Sequence, residues 1–183
     1  GIAGGHLDDE TMNRLIDARL REELKSGVQT IQYQINTLMT TNGQSPFVTL
    51  FLNLDKDDEY LEENAMIVEE ILRQRLEGIK NEKGVYVTPA FPKLIYVLDE
   101  HNCLKGGKYD YITKLAVECS SKRLYPDYIS AKQMRATYQG NVFSCMGCRS
   151  FLSPWKDENG NFKFEGRFNQ GVVSINLPQI GIL

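Results

Sequence analysis

Two short runs constrain the fold of this chain more than any other feature. Pro46–Leu54 (PFVTLFLNL) and Lys93–Leu98 (KLIYVL) are aliphatic, aromatic or β-branched at nearly every position, not at alternate ones. A strand that faces water on one side alternates. One that is apolar on both faces must be covered on both, which is the condition of a parallel sheet. The stretch between them supplies the cover: Leu61, Ala65, Val68, Ile71, Leu72, Leu76 and Ile79 recur at steps of three and four, one face of an amphipathic helix. Strand, helix and parallel strand then form a right-handed crossover.

The same periodicity extends the pattern both ways. Upstream, Asp9–Met39 carries apolar side chains at helical spacing from Met12 to Met39, with Asp8 or Asp9 as cap and Asn42-Gly43 as the break. Downstream, a loop with Gly106-Gly107 leads to a third helix at about Tyr109–Leu124, and Pro126 lies just past its end. An irregular segment follows, then a β-hairpin in Lys156–Phe168 turning at Asn159-Gly160, then a strand-like apolar run, Gly171–Leu177. The expected class is α/β, a βαβαβ parallel sheet behind a long N-terminal amphipathic helix. Its regions are the helix at 1–41, strand–helix–strand–helix at 46–130, a loop and hairpin at 140–169, and a last strand at 170–183, all parts of one domain.

The chain has 183 residues, 42% of them hydrophobic, enough for one sizeable core. A formal net charge of -3 argues against a nucleic-acid partner, which needs a basic footprint. The apolar runs are far too short to span a bilayer, and no signal-peptide pattern opens the chain, so neither a membrane nor export is expected. Four cysteines are too few for a disulfide scaffold and read as reduced thiols in a cytoplasm. A first residue of Gly and a last one inside an apolar run suggest a piece of a longer protein.

The chemistry concentrates in Ser144–Trp155, SCMGCRSFLSPW, with Cys145 and Cys148 three apart beside Gly147 and Arg149. His101 and Cys103 together with that pair would offer zinc three thiols and an imidazole, but His101 and Cys103 stand too close for the usual chelate spacing. No metal site is therefore expected. A thioredoxin-like pair sits at the start of a long helix, which Pro154 disfavours here. The third reading is a sulfur displayed at a loop tip, where Gly147 lets the backbone turn and Arg149 supplies a fixed cation. That arrangement suits nucleophilic or radical chemistry, and spacing alone leaves those two open. Lys105–Lys108 (KGGK) lacks the frame of a phosphate loop and reads as a turn. Cys119 falls at helical spacing and reads as a small core residue.

Several stretches resemble the anaerobic (class III) ribonucleotide reductases, which are glycyl radical enzymes. They are INTLMTTNGQSPFVTLFL, TPAFPKLIYVL with LAVECSSKRLYPD, and CMGCRSFLSPW followed by GRFNQGVVSINLPQI. The last pair is the specific part, because both motifs occur in order with only a short hairpin between them. The resemblance implies about half of a ten-stranded α/β barrel, threaded by a finger loop with the active cysteine at its tip. By the match of the G-C-R-S-F portion that cysteine is Cys148. It would lose its hydrogen atom to a glycyl radical, and the thiyl would then take the 3′ hydrogen of a ribonucleoside triphosphate.

The resemblance further implies that Asn169 hydrogen-bonds the ribose hydroxyls, with Asn176 as its rival. A turn-forming or strand-end role is the plain alternative for both. Ser150 would brace the loop, and Cys145 would be an accessory thiol bearing on the reductant, formate or a thioredoxin-like protein. No cofactor is expected in this segment: the glycyl radical and structural zinc of the whole enzyme lie outside it. The partners implied are nucleotide effectors, a radical-SAM activase and a second copy in a homodimer. The segment alone is expected to be inactive. The competing reading is an independent α/β redox or metal-binding module using Cys145 and Cys148.

Overall fold

A computed structural model describes residues 8–39, 41, 43–147, 149–167 and 173–182. The chain divides into two compact units, Gly1–Val142 and Phe143–Leu183. In the first, helix α1 spans Asp9–Thr37, two residues short of the expected end. The Asp8 carboxylate accepts the Thr11 backbone N–H at 2.6 Å and fixes its start. Near its end the side chains of Thr30, Asn36 and Thr37 donate back to carbonyls four residues earlier. Val28 is the buried residue of α1, whereas Met12, Leu15, Ile16 and Leu20 are exposed, so most of the amphipathic stripe lies open.

The next elements are β1 (Thr49–Leu52), α2 (Leu61–Glu77), β2 (Ile79–Lys80), β3 (Tyr86–Val87), β4 (Lys93–Leu98), α3 (Glu100–Cys103), α4 (Asp110–Arg123), β5 (Asp127–Ser130) and α5 (Ala131–Thr137). β1, β4 and β5 form a three-stranded sheet in that order, parallel throughout, with Leu50 opposite Leu94 and Tyr96 opposite Tyr128. Leu94, Ile95, Tyr96 and Val97 of the central strand are all buried, as a strand apolar on both faces requires. Leu94 and Tyr96 join Leu54, Leu72, Ile112, Ala116 and Cys119 in the core under α2 and α4. The fold is thus α/β with a parallel sheet, and β4 matches the expected bounds residue for residue.

Several expectations are corrected. The strand read from Pro46–Leu54 is ordered as a ladder only over its middle. The second helix starts at Leu61, the first apolar position read for it, after local turns in which Asp55 and Asp58 accept the N–H groups of Asp57 and Tyr60. It ends at Glu77, so Ile79, expected on its apolar face, lies in β2 instead. The loop after β4 contains α3, held by a capping box in which Asp99 accepts the Glu100 N–H and Asn102 accepts the Asp99 N–H. The segment read as irregular after α4 holds β5 and α5. The β2–β3 hairpin was not expected either. It forms because Gly78, at φ +88°, turns the chain out of α2 where a Cβ would stand 2.7 Å from the Val87 carbonyl oxygen.

In the second unit, β6 (Trp155–Lys156) and β7 (Phe162–Lys163) form the expected antiparallel hairpin. Asp157 closes its turn by accepting the N–H groups of Asn159 and Asn161. The strand expected at 170–183 falls partly outside the described residues. Its described part contains no strand: Val173 and Ile175 are exposed without a ladder partner, and Leu177–Ile182 forms a short helix, α6. Among the described residues no helix is long and apolar enough to cross a membrane.

Candidate functional site

The loop from Phe143 to Leu152 is built from its ends inward. Phe143 and Cys145 are 4% and 2% exposed, which anchors the incoming arm. Met146 and Ser150 then exchange both backbone hydrogen bonds, at 2.8 and 2.9 Å, and the Arg149 N–H also reaches the Met146 carbonyl at 3.4 Å. The sequence enclosed by that bridge is Gly147-Cys148-Arg149. Gly147 has φ +58°, at home for glycine, but Arg149 has φ +113°, a region side-chain-bearing residues rarely occupy. Such a conformation costs on the order of 1–3 kcal/mol and persists only where the surroundings enforce it.

Contacts with the hairpin hold the two arms of this loop. The Phe143 ring lies 5.4 Å from that of Phe164, which in turn stacks on Phe162 at 6.4 Å. The Arg167 guanidinium covers the Phe143 and Phe164 rings at 5.0 and 5.8 Å. In its own plane it donates to the Leu152 carbonyl at 2.7 Å and the Phe164 carbonyl at 2.5 Å. The Trp155 indole N–H adds a bond to the Glu165 carbonyl at 3.2 Å. Both arms of the cysteine loop are therefore tied to one hairpin.

Cys148 and Asn169, the two residues expected to carry the chemistry, lie outside the described residues. Ser150 is exposed, and its backbone pairs with that of Met146. Cys145 is buried at the loop's base, with the Ser144 hydroxyl donating to its carbonyl at 2.9 Å. Asn176 is exposed and its side chain accepts the Gln179 N–H at 3.1 Å, capping α6. Cys119 sits in the core, where burial pushes its thiol up to about 11 and makes it a poor nucleophile. Cys103 is exposed on α3, and its neighbour His101 packs edge-on to Tyr109 at 6.0 Å. Among the described residues no group of three or more His, Cys, Asp or Glu side chains is placed to hold a metal ion.

The first unit has a separate polar feature. A cavity of about 390 Å³ is lined by Lys56, Asp99, Glu100, His101, Lys132 and Arg135, all within a few residues of the carboxyl ends of β1, β4 and β5. Arg135 grips Asp99 through both oxygens at 3.0 and 2.6 Å, and that bond holds the Asp99 carboxyl below the usual carboxylate range.

Comparison with known proteins decides the family. The model of the anaerobic ribonucleoside-triphosphate reductases matches residues 7–183. The chain belongs to that family. The anaerobic ribonucleoside-triphosphate reductase of Enterobacteria phage T4 is 40% identical over 185 residues, covering 97% of this chain and 29% of the relative. That of Escherichia coli (strain K12) is 42% identical over 168 residues, 91% of this chain and 22% of the relative. That of Haemophilus influenzae is 40% identical over 167 residues, again 22% of the relative. This reductase-family chain thus spans 22–29% of the length of these relatives.

Sequence reading missed Arg167 and the Asp99–Arg135 pair. The signal for Arg167 was present as Phe162 and Phe164 on one face of a strand with an arginine three residues on. Asp99 and Arg135 are 36 residues apart and carry no local pattern.

Proposed function

We propose that this chain is the cysteine-loop segment of an oxygen-sensitive reductase converting ribonucleoside triphosphates to deoxyribonucleoside triphosphates, the precursors of DNA. The observation that carries the reading is the loop closed by Met146 and Ser150 around Gly147-Cys148-Arg149, with backbone strain at Arg149. Strain held by surrounding contacts is characteristic of functional loops, and here it adjoins the residue matched to the family's radical cysteine.

Sulfur is the element this role needs. Its S–H bond is close in strength to an activated C–H bond, so hydrogen-atom transfer between Cys148 and the ribose is reversible. A serine O–H bond is much stronger and would be a dead end. A glycyl radical elsewhere in the whole enzyme supplies the acceptor for the Cys148 hydrogen atom. Cys148 as thiyl then takes the 3′ hydrogen, its S–H re-forms, and the ribose radical loses the 2′ hydroxyl as water with one added proton. Formate or a thioredoxin-like protein provides two electrons, taken up with a second proton, which leaves a 3′ radical on the deoxyribose; Cys148 returns its hydrogen atom to C3′ and becomes the thiyl again. Asn169 holds the ribose hydroxyls, and the loop keeps the sulfur at contact distance with water excluded.

The parallel sheet of β1, β4 and β5 is read as part of the family's ten-stranded barrel, its two open edge strands continuing into further strands. The exposed apolar stripe of α1 is the surface for a homodimer, and nucleotide effectors and a radical-SAM activase act on the whole, cytoplasmic enzyme. The test is anaerobic turnover of a ribonucleoside triphosphate by the whole activated polypeptide and its Cys148→Ser variant. Loss of product in the variant is expected, as is none from the 183-residue chain alone. Product at the wild-type rate from Cys148→Ser would end this reading. A reversible Cys145–Cys148 disulfide in a chain without reductase activity would replace it with a redox module.

A further inference from the structure

We infer that Arg167 is the positioning residue for the loop that carries Cys148, a role that rests on the reductase reading above. Four contacts converge on its one guanidinium. Its faces meet the Phe143 ring of the incoming arm and the Phe164 ring of the hairpin, while its edge donates to the Leu152 carbonyl of the outgoing arm and the Phe164 carbonyl. It thus joins the chain before the loop, the chain after it and the hairpin. The Met146–Ser150 bridge closes the loop on itself but does not aim it; the link from loop to hairpin is what sets its direction.

The residue type follows from the geometry. A planar guanidinium can stack on rings while donating in its own plane to carbonyls, whereas an ammonium is a point charge that cannot do both at once. Arg167 is also two residues before Asn169 in sequence, the residue proposed to hold the ribose. Displacing a reacting group by about 1 Å can cost on the order of a hundredfold in rate, so loosening this clamp falls on the chemical step and not on binding.

The experiment compares wild type, Arg167→Lys and Arg167→Ala in the whole reductase polypeptide. Amide hydrogen exchange is followed at Met146 and Ser150, with the amides of β4 as the control for global stability. Exchange at the loop is expected to rise at least about tenfold in Arg167→Ala with β4 unchanged, local opening being distinct from global unfolding. Turnover should fall about a hundredfold with KM within about threefold, and Arg167→Lys should recover less than about a tenth of the lost rate. Unchanged loop exchange in Arg167→Ala overturns the clamp whatever the enzyme does. Raised exchange with undiminished kcat, or full rescue by lysine, overturns its positioning role. A wild-type polypeptide without reductase activity removes the reading on which the proposal rests, and that failure is separate from the exchange result.

Discussion

Breaking the Asp99–Arg135 pair should show a coupling energy that weakens in acid. The pair is bidentate, at 3.0 and 2.6 Å, with the Asp99 side chain 10% exposed and that of Arg135 36% exposed. Fully exposed pairs are worth about 0.2–1 kcal/mol, and removing one partner of a buried pair costs about 3–5 kcal/mol. The solvent reaching Arg135 screens the pair, so a coupling of about 1–2 kcal/mol is expected. Asp99→Ala alone will lose more, because its carboxylate also accepts the Glu100 N–H at 2.8 Å at the start of α3, a cap worth about 1 kcal/mol. A double-mutant cycle with Arg135→Ala removes that contribution.

The sign of the pH dependence follows from the direction of the shift. The hydrogen bond from Arg135 is the main cause that lowers the Asp99 pKa in the folded chain, opposed by burial. The stabilisation is therefore fully present above the unfolded carboxylate value of about 3.9 and is lost as pH falls through the depressed folded value. Urea unfolding of the four proteins at pH 7, 5 and 3 measures the cycle. The coupling should be constant between pH 7 and 5 and smaller at pH 3. A coupling below about 0.3 kcal/mol at pH 7, or one undiminished in acid, would refute the reasoning.

Two further outcomes follow from the packing. Gly78→Ala places a Cβ 2.7 Å from the Val87 carbonyl at φ +88°, so a loss of about 2 kcal/mol or more is expected, read as a lowered Tm; an unchanged Tm contradicts the close approach. Thiol labelling of the native chain at pH 8, mapped by mass spectrometry, should modify the exposed Cys103 well before Cys119, which is reached only on unfolding because burial holds that thiol near 11. Equal labelling rates would mean that the core around Cys119 opens freely.

The parts of the fold legible in the sequence were those with one dominant local cause. Lys93–Leu98 is apolar on both faces and sits at the sheet centre, so burial and pattern agree and its bounds were found. β5 (Asp127–Ser130) was missed because only Ile129 of its four residues is buried and its pairing with β4 comes from a distant segment. The Gly171–Leu177 run shows the opposite error: apolar content without a neighbouring strand did not make its described part a strand, and Asn176 caps a short helix instead. At the candidate site the cysteine pair and the hairpin turn were visible because glycine, proline and cysteine carry local meaning. The hold of Arg167 on Phe143, Leu152 and Phe164 was not, since it depends on three segments meeting.

The most direct test of the central claim follows the hydrogen itself. A ribonucleoside triphosphate labelled with tritium at the 3′ position is incubated anaerobically with the whole activated enzyme, and label released to water is counted for wild type and for Cys148→Ser. If Cys148 removes and returns the 3′ hydrogen through its exchangeable S–H, a small release should accompany turnover in the wild type and vanish with the sulfur. Release that persists in Cys148→Ser, or deoxyribonucleotide formed by that variant, would contradict the account.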